Sequence, residues 1–442
     1  MHKLFIRGSR SCAVGKVLVW AVAVAACACG GRAFGQISYK NNTANVLSST
    51  SSWWTTESGS TNPASIATTG TLWFGGSGQA ASGTWSLGSD LSVGQVRLDN
   101  LTGTPNYNAT IAAGNTLTLN NATGILLNSA AGGSLTINSN VTAAAAQSWI
   151  TSRTLAMTGS TSIGANTITV NTAGGNSVFT LSGVVSGSKA AGANAFLLSP
   201  TAGSGGRFIL TNSANSFTGD IEFTTNLSSI LEFTSAAVLG SNTTAYQIKF
   251  RNTGGTAGAG SILRYTGTTN EVVSKTLFCD TSIGIRLQSN SVGGAVTFNG
   301  AFNAGSRTLY LEGTGTGDNT VGMAFNTGAG AIVKRDAGTW VLSQASSYTG
   351  ATTLVGGVLK VSTLANGGSN SAIGASGSAA ANLVFNGGAL SYTGTGHSTN
   401  RAFTITAAPT ISADGSGALT WVGGAPVYTT SNTTYTVTLG GT

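Results

Sequence analysis

Residues 338–361 read GTWVLSQASSYTGATTLVGGVLKV, and this stretch decides the fold prediction. It contains two apolar, strand-like runs, joined by a polar stretch that includes Tyr348, Thr349 and Gly350. The same order of elements occurs at 206–223, GRFILTNSANSFTGDIEF. Further matches continue downstream, and their offset falls from 131 residues (Phe217 to Tyr348) to 123 residues (Ala295 to Ala418). The chain therefore contains a long internal duplication.

The duplication favours a repeat architecture. A short strand with one apolar face cannot bury that face alone, whereas stacked coils bury a continuous interior. Glycine supplies the positive φ that tight turns between coils require. We predict an all-β fold, a right-handed parallel β-helix or β-solenoid with roughly 20–25 residues per coil. Tandem β-sandwiches are the alternative, because a repeat of roughly 130 residues also suits a sandwich domain.

Charged and apolar residues alternate in several short runs, such as DIEF at 220–223 and LYLE at 309–312. This period of two predicts strands with one buried and one solvated face. Asp220, Glu222 and Glu232 are therefore expected to be solvated, outward-facing charges. The segment AAAAQSWITSRTL at 143–155 is the one place where a short helix is expected, although Ser and Thr weaken that prediction.

The first 35 residues have the pattern of a secretory signal peptide. A basic start is followed by VLVWAVAVAACACGG, which is too short to span a bilayer, and small residues precede Gln36. A lipoprotein cleavage box ending at Cys27 is the alternative, and it would leave a lipid anchor at that residue. Removal of residues 1–35 leaves 15 basic and 12 acidic residues. This balance predicts no nucleic-acid partner, and Cys279, the one remaining cysteine, is expected to be a small buried apolar side chain.

Four segments follow from these patterns. They are a signal peptide at 1–35, an N-terminal β-rich region of the solenoid at 36–176, a first long repeat unit at 177–318 and a second unit at 319–442. Alignment of the two units places the end of the chain in the middle of a repeat. We therefore expect the second unit to be truncated at its C-terminus, as a piece of a longer protein would be.

The sequence predicts no catalytic, cofactor-binding or metal-binding residue, and no cofactor. His397 lies among Gly, Ser and Thr and is expected to be a solvated loop histidine. The stretch GSGQAA at 76–81 has the look of a dinucleotide loop, but no helix follows it. In GTGTGDNT at 313–320, Asp318 lacks the partner acids that a calcium site needs. A carboxylate cluster would require Asp220, Glu222 and Glu232 to meet on successive coils.

The stretch 334–361 resembles the autotransporter-associated β-strand repeat, also called the passenger-associated transport repeat. That family's pattern reads roughly K-x-G-x-G-T-W-x-L-S, then Y-T-G-x-T-T, then G-G-x-L-x-V. The sequence departs from it at Asp336 and Ala337, where a glycine is common. The copy at 206–223 is degenerate, with Phe208 in place of the tryptophan. The resemblance implies an autotransporter passenger-like β-solenoid from a Gram-negative-type bacterium, and it carries no catalytic residues over to this chain.

Together these patterns predict an exported, non-enzymatic repeat protein at the cell surface, associated with the outer membrane or extracellular. It would act as a stalk, adhesin or matrix component. The expected partners are glycans or other cell-surface components, with self-association as a further expectation. Apart from the signal peptide, no transmembrane segment is expected. The alternatives are a β-helical polysaccharide lyase or hydrolase, and a self-associating extracellular fibre protein.

Overall fold

A computed structural model describes residues 37–40, 46–47, 53–54, 66–74, 82–99, 108–128, 133–201, 205–224, 227–251, 260–280, 284–303, 305–429 and 434–441. Gln36–Thr442 forms one compact unit. The predicted signal peptide, the alternative anchor at Cys27 and the stretch 76–81 all lie outside the described residues.

The described chain is built almost entirely of short strands. In chain order they are β1 (Ile37–Lys40), β2 (Trp53–Trp54), β3 (Thr71–Phe74), β4 (Gly83–Trp85), β5 (Leu91–Val93), β6 (Gln95–Asp99), β7 (Asn108–Ile111), β8 (Thr116–Leu119), β9 (Thr123–Asn128), β10 (Ser134–Ile137), β11 (Asn140–Ala143), β12 (Gln147–Thr151), β13 (Thr154–Met157), β14 (Thr161–Gly164), β15 (Ile168–Thr172), β16 (Val178–Leu181), β17 (Val185–Gly187), β18 (Asn194–Leu198), β19 (Gly206–Leu210), β20 (Asp220–Phe223) and β21 (Ser229–Phe233). They continue as β22 (Gln247–Phe250), β23 (Ile262–Tyr265), β24 (Glu271–Val273), β25 (Thr276–Cys279), β26 (Ile285–Ser289), β27 (Val296–Phe298), β28 (Phe302–Asn303), β29 (Leu309–Glu312), β30 (Asn319–Val321), β31 (Ile332–Lys334), β32 (Thr339–Leu342), β33 (Thr352–Leu354), β34 (Val358–Val361), β35 (Leu383–Asn386), β36 (Ala389–Tyr392), β37 (Thr395–Thr399), β38 (Thr404–Ala407), β39 (Thr410–Ala413), β40 (Gly417–Trp421), β41 (Val427–Tyr428) and β42 (Thr438–Gly441). Short 3₁₀ helices occupy Ala236–Leu239 and Ala380–Asn382.

The strands stack into long sheets that run along the molecule. A fifteen-strand sheet has the order β4-β7-β10-β13-β16-β19-β21-β23-β26-β29-β31-β33-β35-β38-β41. A twelve-strand sheet has the order β2-β1-β3-β6-β9-β12-β15-β18-β20-β22-β25-β28. The remaining sheets are β17-β14-β11-β8-β5, then β24-β27-β30-β32-β34-β36-β39-β42, and the pair β37-β40. Each coil of the chain thus adds one strand to each of two or three sheets.

The pairing confirms the β-solenoid and shows that the tandem β-sandwich alternative is wrong. Among the described strands, each ladder is parallel except β1 with β2, whereas sandwiches are built from antiparallel hairpins. Coil length varies: Ser134 pairs with Thr154 after 20 residues, and Ile230 pairs with Ile262 after 32. The right-handed sense of the coil stays a prediction, as do the four segment boundaries.

One apolar core runs through the stack. Inward-facing side chains from Leu47 to Ile411 belong to a single hydrophobic cluster, as shared interior burial predicts. Its largest fully buried members include Trp149 and Trp340. The helix expected at 143–155 is wrong, because that segment forms β12 and the start of β13. Alternation in β12 points Trp149 into the core, and this tertiary burial outweighs local helix propensity.

The aromatic-Thr-Gly motif joins one coil to the next. Tyr348 is fully buried, and its ring contacts Phe325 of the preceding coil at 5.3 Å between centroids. The Thr349 hydroxyl donates to the Gly328 carbonyl at 3.0 Å. The backbone of Gly350 passes so close to this coil that a Cβ on Gly350 would lie 2.3 Å from the carbonyl oxygen of Gly330. The motif therefore supplies a buried aromatic ring, a hydrogen bond to the preceding coil and a close contact between the two backbones.

The two aromatic-Thr-Gly copies have matching surroundings. In the first copy, Gly240 (φ +73°) would place a Cβ 2.4 Å from the carbonyl oxygen of Phe217. In the second, Gly374 (φ +76°) would place a Cβ 2.4 Å from the carbonyl oxygen of Tyr348. Positive φ and this close contact together favour glycine at both places. In the described part of the chain, no helix is long and apolar enough to cross a membrane.

Candidate functional site

Carboxylates on the outer face of the fifteen-strand sheet lie between arginines from neighbouring coils. Glu232 on β21 accepts from Arg207 on β19 at 2.7 Å, and its other oxygen lies 3.4 Å from Nη1 of Arg264 on β23. Arg264 also donates to Gln288 of the next coil. Glu232 is only 7% exposed, so the pairing compensates a charge removed from water.

Glu312 on β29 repeats this arrangement further along the sheet. Nη2 of Arg286 donates to one Glu312 oxygen at 2.9 Å, and Nε of Arg335 lies 3.6 Å from the other. The Arg335 guanidinium also covers the Tyr310 ring at 4.2 Å. The backbone carbonyl of Glu312 accepts from Trp340 Nε1 at 3.0 Å. Glu312 therefore connects the outer charged face to the tryptophan of the repeat motif.

The twelve-strand sheet carries a second polar cluster, which we call the lysine–asparagine cluster: Asn194, Asp220, Glu222 and Lys249. These residues lie on the consecutive strands β18, β20 and β22. Lys249 Nζ lies 2.7 Å from Asp220 Oδ2 and 3.8 Å from Glu222 Oε2. Asp220 is fully buried, and Lys249 and Glu222 are 6% and 8% exposed.

These contacts correct one expectation about the acids. Asp220, Glu222 and Glu232 are buried ion-pair partners and not solvated charges, because charged neighbours on adjacent coils cover them. They also do not form one acidic nest, since Glu232 lies in the fifteen-strand sheet and the other two lie in the twelve-strand sheet. The sequence alone did not show this, because only the ladder register brings Glu222 in DIEF opposite Lys249 in IKFR.

The other sequence candidates lie apart from one another. His397 lies in strand β37 and not in a loop, and its Nδ1 is 3.0 Å from the buried Tyr392 hydroxyl. Asp318 is exposed and pairs with Lys360 at 2.7 Å. Cys279 is buried. Within the described residues, no group of three or more His, Cys, Asp or Glu side chains is placed to hold a metal ion.

Lys334 closes the turn of the repeat motif from inside. Its amine donates to the carbonyls of Asp336 at 2.9 Å and Gly356 at 3.0 Å. Burial lowers the pKa of Lys334 to about 8, although Asp336 and Glu312 act in the opposite direction. Asp336 is the one non-glycine residue with positive φ in the described chain, at 57°. Its left-handed backbone explains why a glycine is common where this sequence departs from the family pattern.

A groove opens where the twelve-strand sheet ends at β28. Its volume is about 540 Å³, and its walls include Phe278, Asp280, Phe302, Asn303, Arg307 and Asn326. Arg307 donates to the Asp280 carbonyl at 3.1 Å. Aromatic rings beside amides and a guanidinium give this groove both apolar contact area and hydrogen-bond donors and acceptors.

Comparison with known proteins agrees with the motif. Residues 332–361 match the Passenger-associated-transport-repeat family. Over 167 residues the chain is 43% identical to "Adhesin BmaC autotransporter" of Brucella suis biovar 1 (strain 1330). That alignment covers 37% of this chain and 5% of the relative's length, and no solved structure matches the chain. The chain therefore contains a passenger-associated transport repeat, the autotransporter-associated β-strand repeat predicted from its sequence.

Proposed function

We propose that this chain is a secreted or surface-exposed, non-enzymatic solenoid that acts as an adhesin or stalk of a Gram-negative-type bacterium. The observation that carries the proposal is the 43% identity to an autotransporter adhesin, in a chain folded as one continuous solenoid. Fifteen stacked strands at about 4.8 Å spacing extend roughly 70 Å, which suits a structure that projects a binding surface.

Purified protein of residues 36–442, coupled to beads, provides the direct test. Beads coated with folded protein should adhere to epithelial cells or to immobilised extracellular glycans more than beads coated with the same protein after heat denaturation. Circular dichroism before coupling checks the fold. Equal adhesion of folded-protein beads and uncoated beads would contradict the adhesin role.

A glycan partner is proposed at the groove beside β28. Phe302 offers apolar surface, and Asn303 and Arg307 offer donors and acceptors to sugar hydroxyls. The variants Asn303→Ala and Arg307→Ala should each reduce adhesion to immobilised glycans several-fold while the thermal melting temperature stays the same. Val292→Ala, at an 83% exposed position elsewhere, is the matched control. Unchanged adhesion in both groove variants would move the contact to another surface.

The enzymatic alternative has a separate test. Asp220 and Glu222 are engaged by Lys249, and Asp220 is fully buried, so both are poorly placed to receive a polysaccharide. We expect no reducing ends or unsaturated sugars after incubation with uronate-containing polysaccharides. Release of products that Asp220→Asn and Glu222→Gln both abolish would restore the lyase or hydrolase hypothesis.

Self-association is a second candidate function. Three exposed large apolar side chains favour it: Val422 at 61%, Val427 at 50% and Leu439 at 76% exposure. Sedimentation velocity over a hundred-fold range of concentration should show growing assemblies, and Leu439→Asp should suppress them. A single monomer boundary at all concentrations would argue against a fibre-forming role.

A further inference from the structure

The lysine–asparagine cluster places an amine against a carboxamide inside a protein sheet. Lys249 Nζ lies 3.4 Å from Asn194 Oδ1 and 3.1 Å from the Gly192 carbonyl oxygen. On its other side, the same carboxamide donates from Nδ2 to Glu222 Oε2 at 3.0 Å. The Asn194 carboxamide therefore contacts a primary amine through its oxygen and a carboxylate through its nitrogen.

Asp220 completes the set. One of its oxygens lies 2.7 Å from Lys249 Nζ, and the other accepts the backbone N–H of Gln247 at 2.7 Å, which holds the carboxylate in place. The ladder fixes the relative positions of the side chains, because Asn194 is opposite Asp220 and Glu222 is opposite Lys249. Close, oriented partners of this kind are what an intramolecular reaction needs.

Water is largely excluded from the charged groups of the cluster, whereas Asn194 is half-buried. Asp220 is fully buried, and Lys249 and Glu222 are less than one tenth exposed. A second buried lysine, Lys275, also lies near Asp220, and burial lowers the pKa of Lys275 to about 8, although Asp220 acts to raise it. The neutral amine is the nucleophilic form of lysine, and Asp220 is the base that lies close enough to Lys249 Nζ to take its proton.

We propose that Lys249 and Asn194 join through an intramolecular amide bond, formed within the folded solenoid with the help of Asp220 and Glu222. Asp220 accepts a proton from the Lys249 ammonium group. The neutral Nζ attacks the Asn194 amide carbon, and Glu222 carries a proton from the attacking nitrogen to Nδ2. The bond between the amide carbon and Nδ2 breaks, and the released ammonia takes the proton held by Asp220. One ammonium and one carboxamide thus become one secondary amide and one ammonium ion, without an oxidant or reductant.

The bond would link β18 to β22 across β20, so that it ties together three consecutive coils. The two residues are 55 positions apart in the chain, so the crosslink closes a long loop that remains closed after unfolding. A protein exposed to shear or proteolysis at a cell surface gains resistance from such a link. This inference does not depend on the adhesin proposal, since the crosslink is a property of the chain alone.

Mass spectrometry of the purified protein tests the bond directly. The intact mass should fall below the sequence mass by one ammonia molecule. Trypsin should leave Lys249 uncut, because acylated lysine is not a substrate, and should yield peptide 190–207 covalently joined to peptide 208–251. Lys249→Met, Asn194→Ala and Glu222→Gln should each restore the full mass, and circular dichroism checks that each variant folds.

Lys275→Met is the matched control. Lys275 is also a buried lysine near Asp220, but its described hydrogen bond is to the Gly219 carbonyl and not to a carboxamide. This variant should keep the ammonia loss and the joined peptides. A folded wild-type protein with the full sequence mass would overturn the proposal. So would an ammonia loss that maps only to cyclised Gln36, the N-terminal residue expected after signal removal.

Discussion

Substitution of Gly350 in the Tyr-Thr-Gly motif is the most direct test of how one coil packs against the next. No positive φ constrains this glycine, so Gly350→Ala changes only the space that the residue occupies. The new Cβ would lie 2.3 Å from the Gly330 carbonyl oxygen and 2.8 Å from that of Ala329. Real Cβ atoms essentially never approach other atoms within 3.0 Å, so the backbone of one coil must move by at least 0.7 Å.

That movement weakens the link between the coils. The Gly350 N–H donates to the Gly330 carbonyl at 2.9 Å, and a displaced coil loses or lengthens this bond. Overpacking costs about 1–3 kcal/mol and a lost hydrogen bond about 0.5–1.5 kcal/mol. We therefore expect Gly350→Ala to lower the free energy of unfolding by about 2–4 kcal/mol. The melting temperature should fall by about 2–5 °C, because a chain of this length has a large unfolding entropy.

Thermal unfolding followed by circular dichroism measures the effect, with Gly424→Ala as the matched control. Gly424 has no positive φ, and a Cβ at this position would have no neighbour within 4 Å. Gly424→Ala should therefore change the free energy of unfolding by less than about 0.5 kcal/mol. Equal melting temperatures for the two variants would refute the close-approach explanation of the motif glycine.

Three further predictions concern the charged and strained positions of the repeat coil. Glu312→Ala should destabilise the protein by about 3–5 kcal/mol in urea unfolding, because it leaves Arg286 and Arg335 without their shared carboxylate; an unchanged midpoint would show that this pairing contributes nothing. An unfolded lysine titrates near pH 10.5, and the pKa of folded Lys334 is about 8, so the unfolded chain binds more protons between these values. The contribution of Lys334 to the free energy of unfolding therefore rises with pH in that window, and Lys334→Met should flatten the measured slope; an equal slope in both proteins would contradict the pKa shift. Asp336→Ala should lower the free energy of unfolding by about 1–3 kcal/mol, because alanine is strained in the left-handed backbone and cannot accept the Gly313 N–H. Asp336→Gly should lower it less, since glycine adopts this backbone without strain. Thermal unfolding measures both variants, and the reverse order would count against backbone strain.

The sequence by itself was enough to predict the solenoid. Apolar residues at every second position, bounded by Gly, Ser, Thr and Asn, determine short strands that each bury one face. Duplication of the aromatic-Thr-Gly unit adds that such strands stack with like strands. Both signals are local or periodic, so they can be read from the sequence without knowing which coil lies beside which. The family motif at 334–361 carried the surface-protein prediction in the same way.

The tertiary structure alone decided where the charges lie. Coil length varies from 20 to 32 residues between the pairs Ser134–Thr154 and Ile230–Ile262, so spacing in the chain does not tell which outward side chains become neighbours. Alternation correctly places a residue such as Glu222 on the outer face, but it does not show that another coil's lysine covers it.

The same limit applies to Asn194 and Lys249, which are 55 residues apart in the chain. They meet only because their strands, β18 and β22, stack on either side of β20 in the same sheet. It also applies to the mistaken helix at 143–155, where local propensity gave no sign of the core position that Trp149 occupies. The period of two and the glycine-rich turns are properties of the chain itself. The buried ion pairs and the contact between amine and carboxamide depend on coil register, which is set only when all coils share one interior.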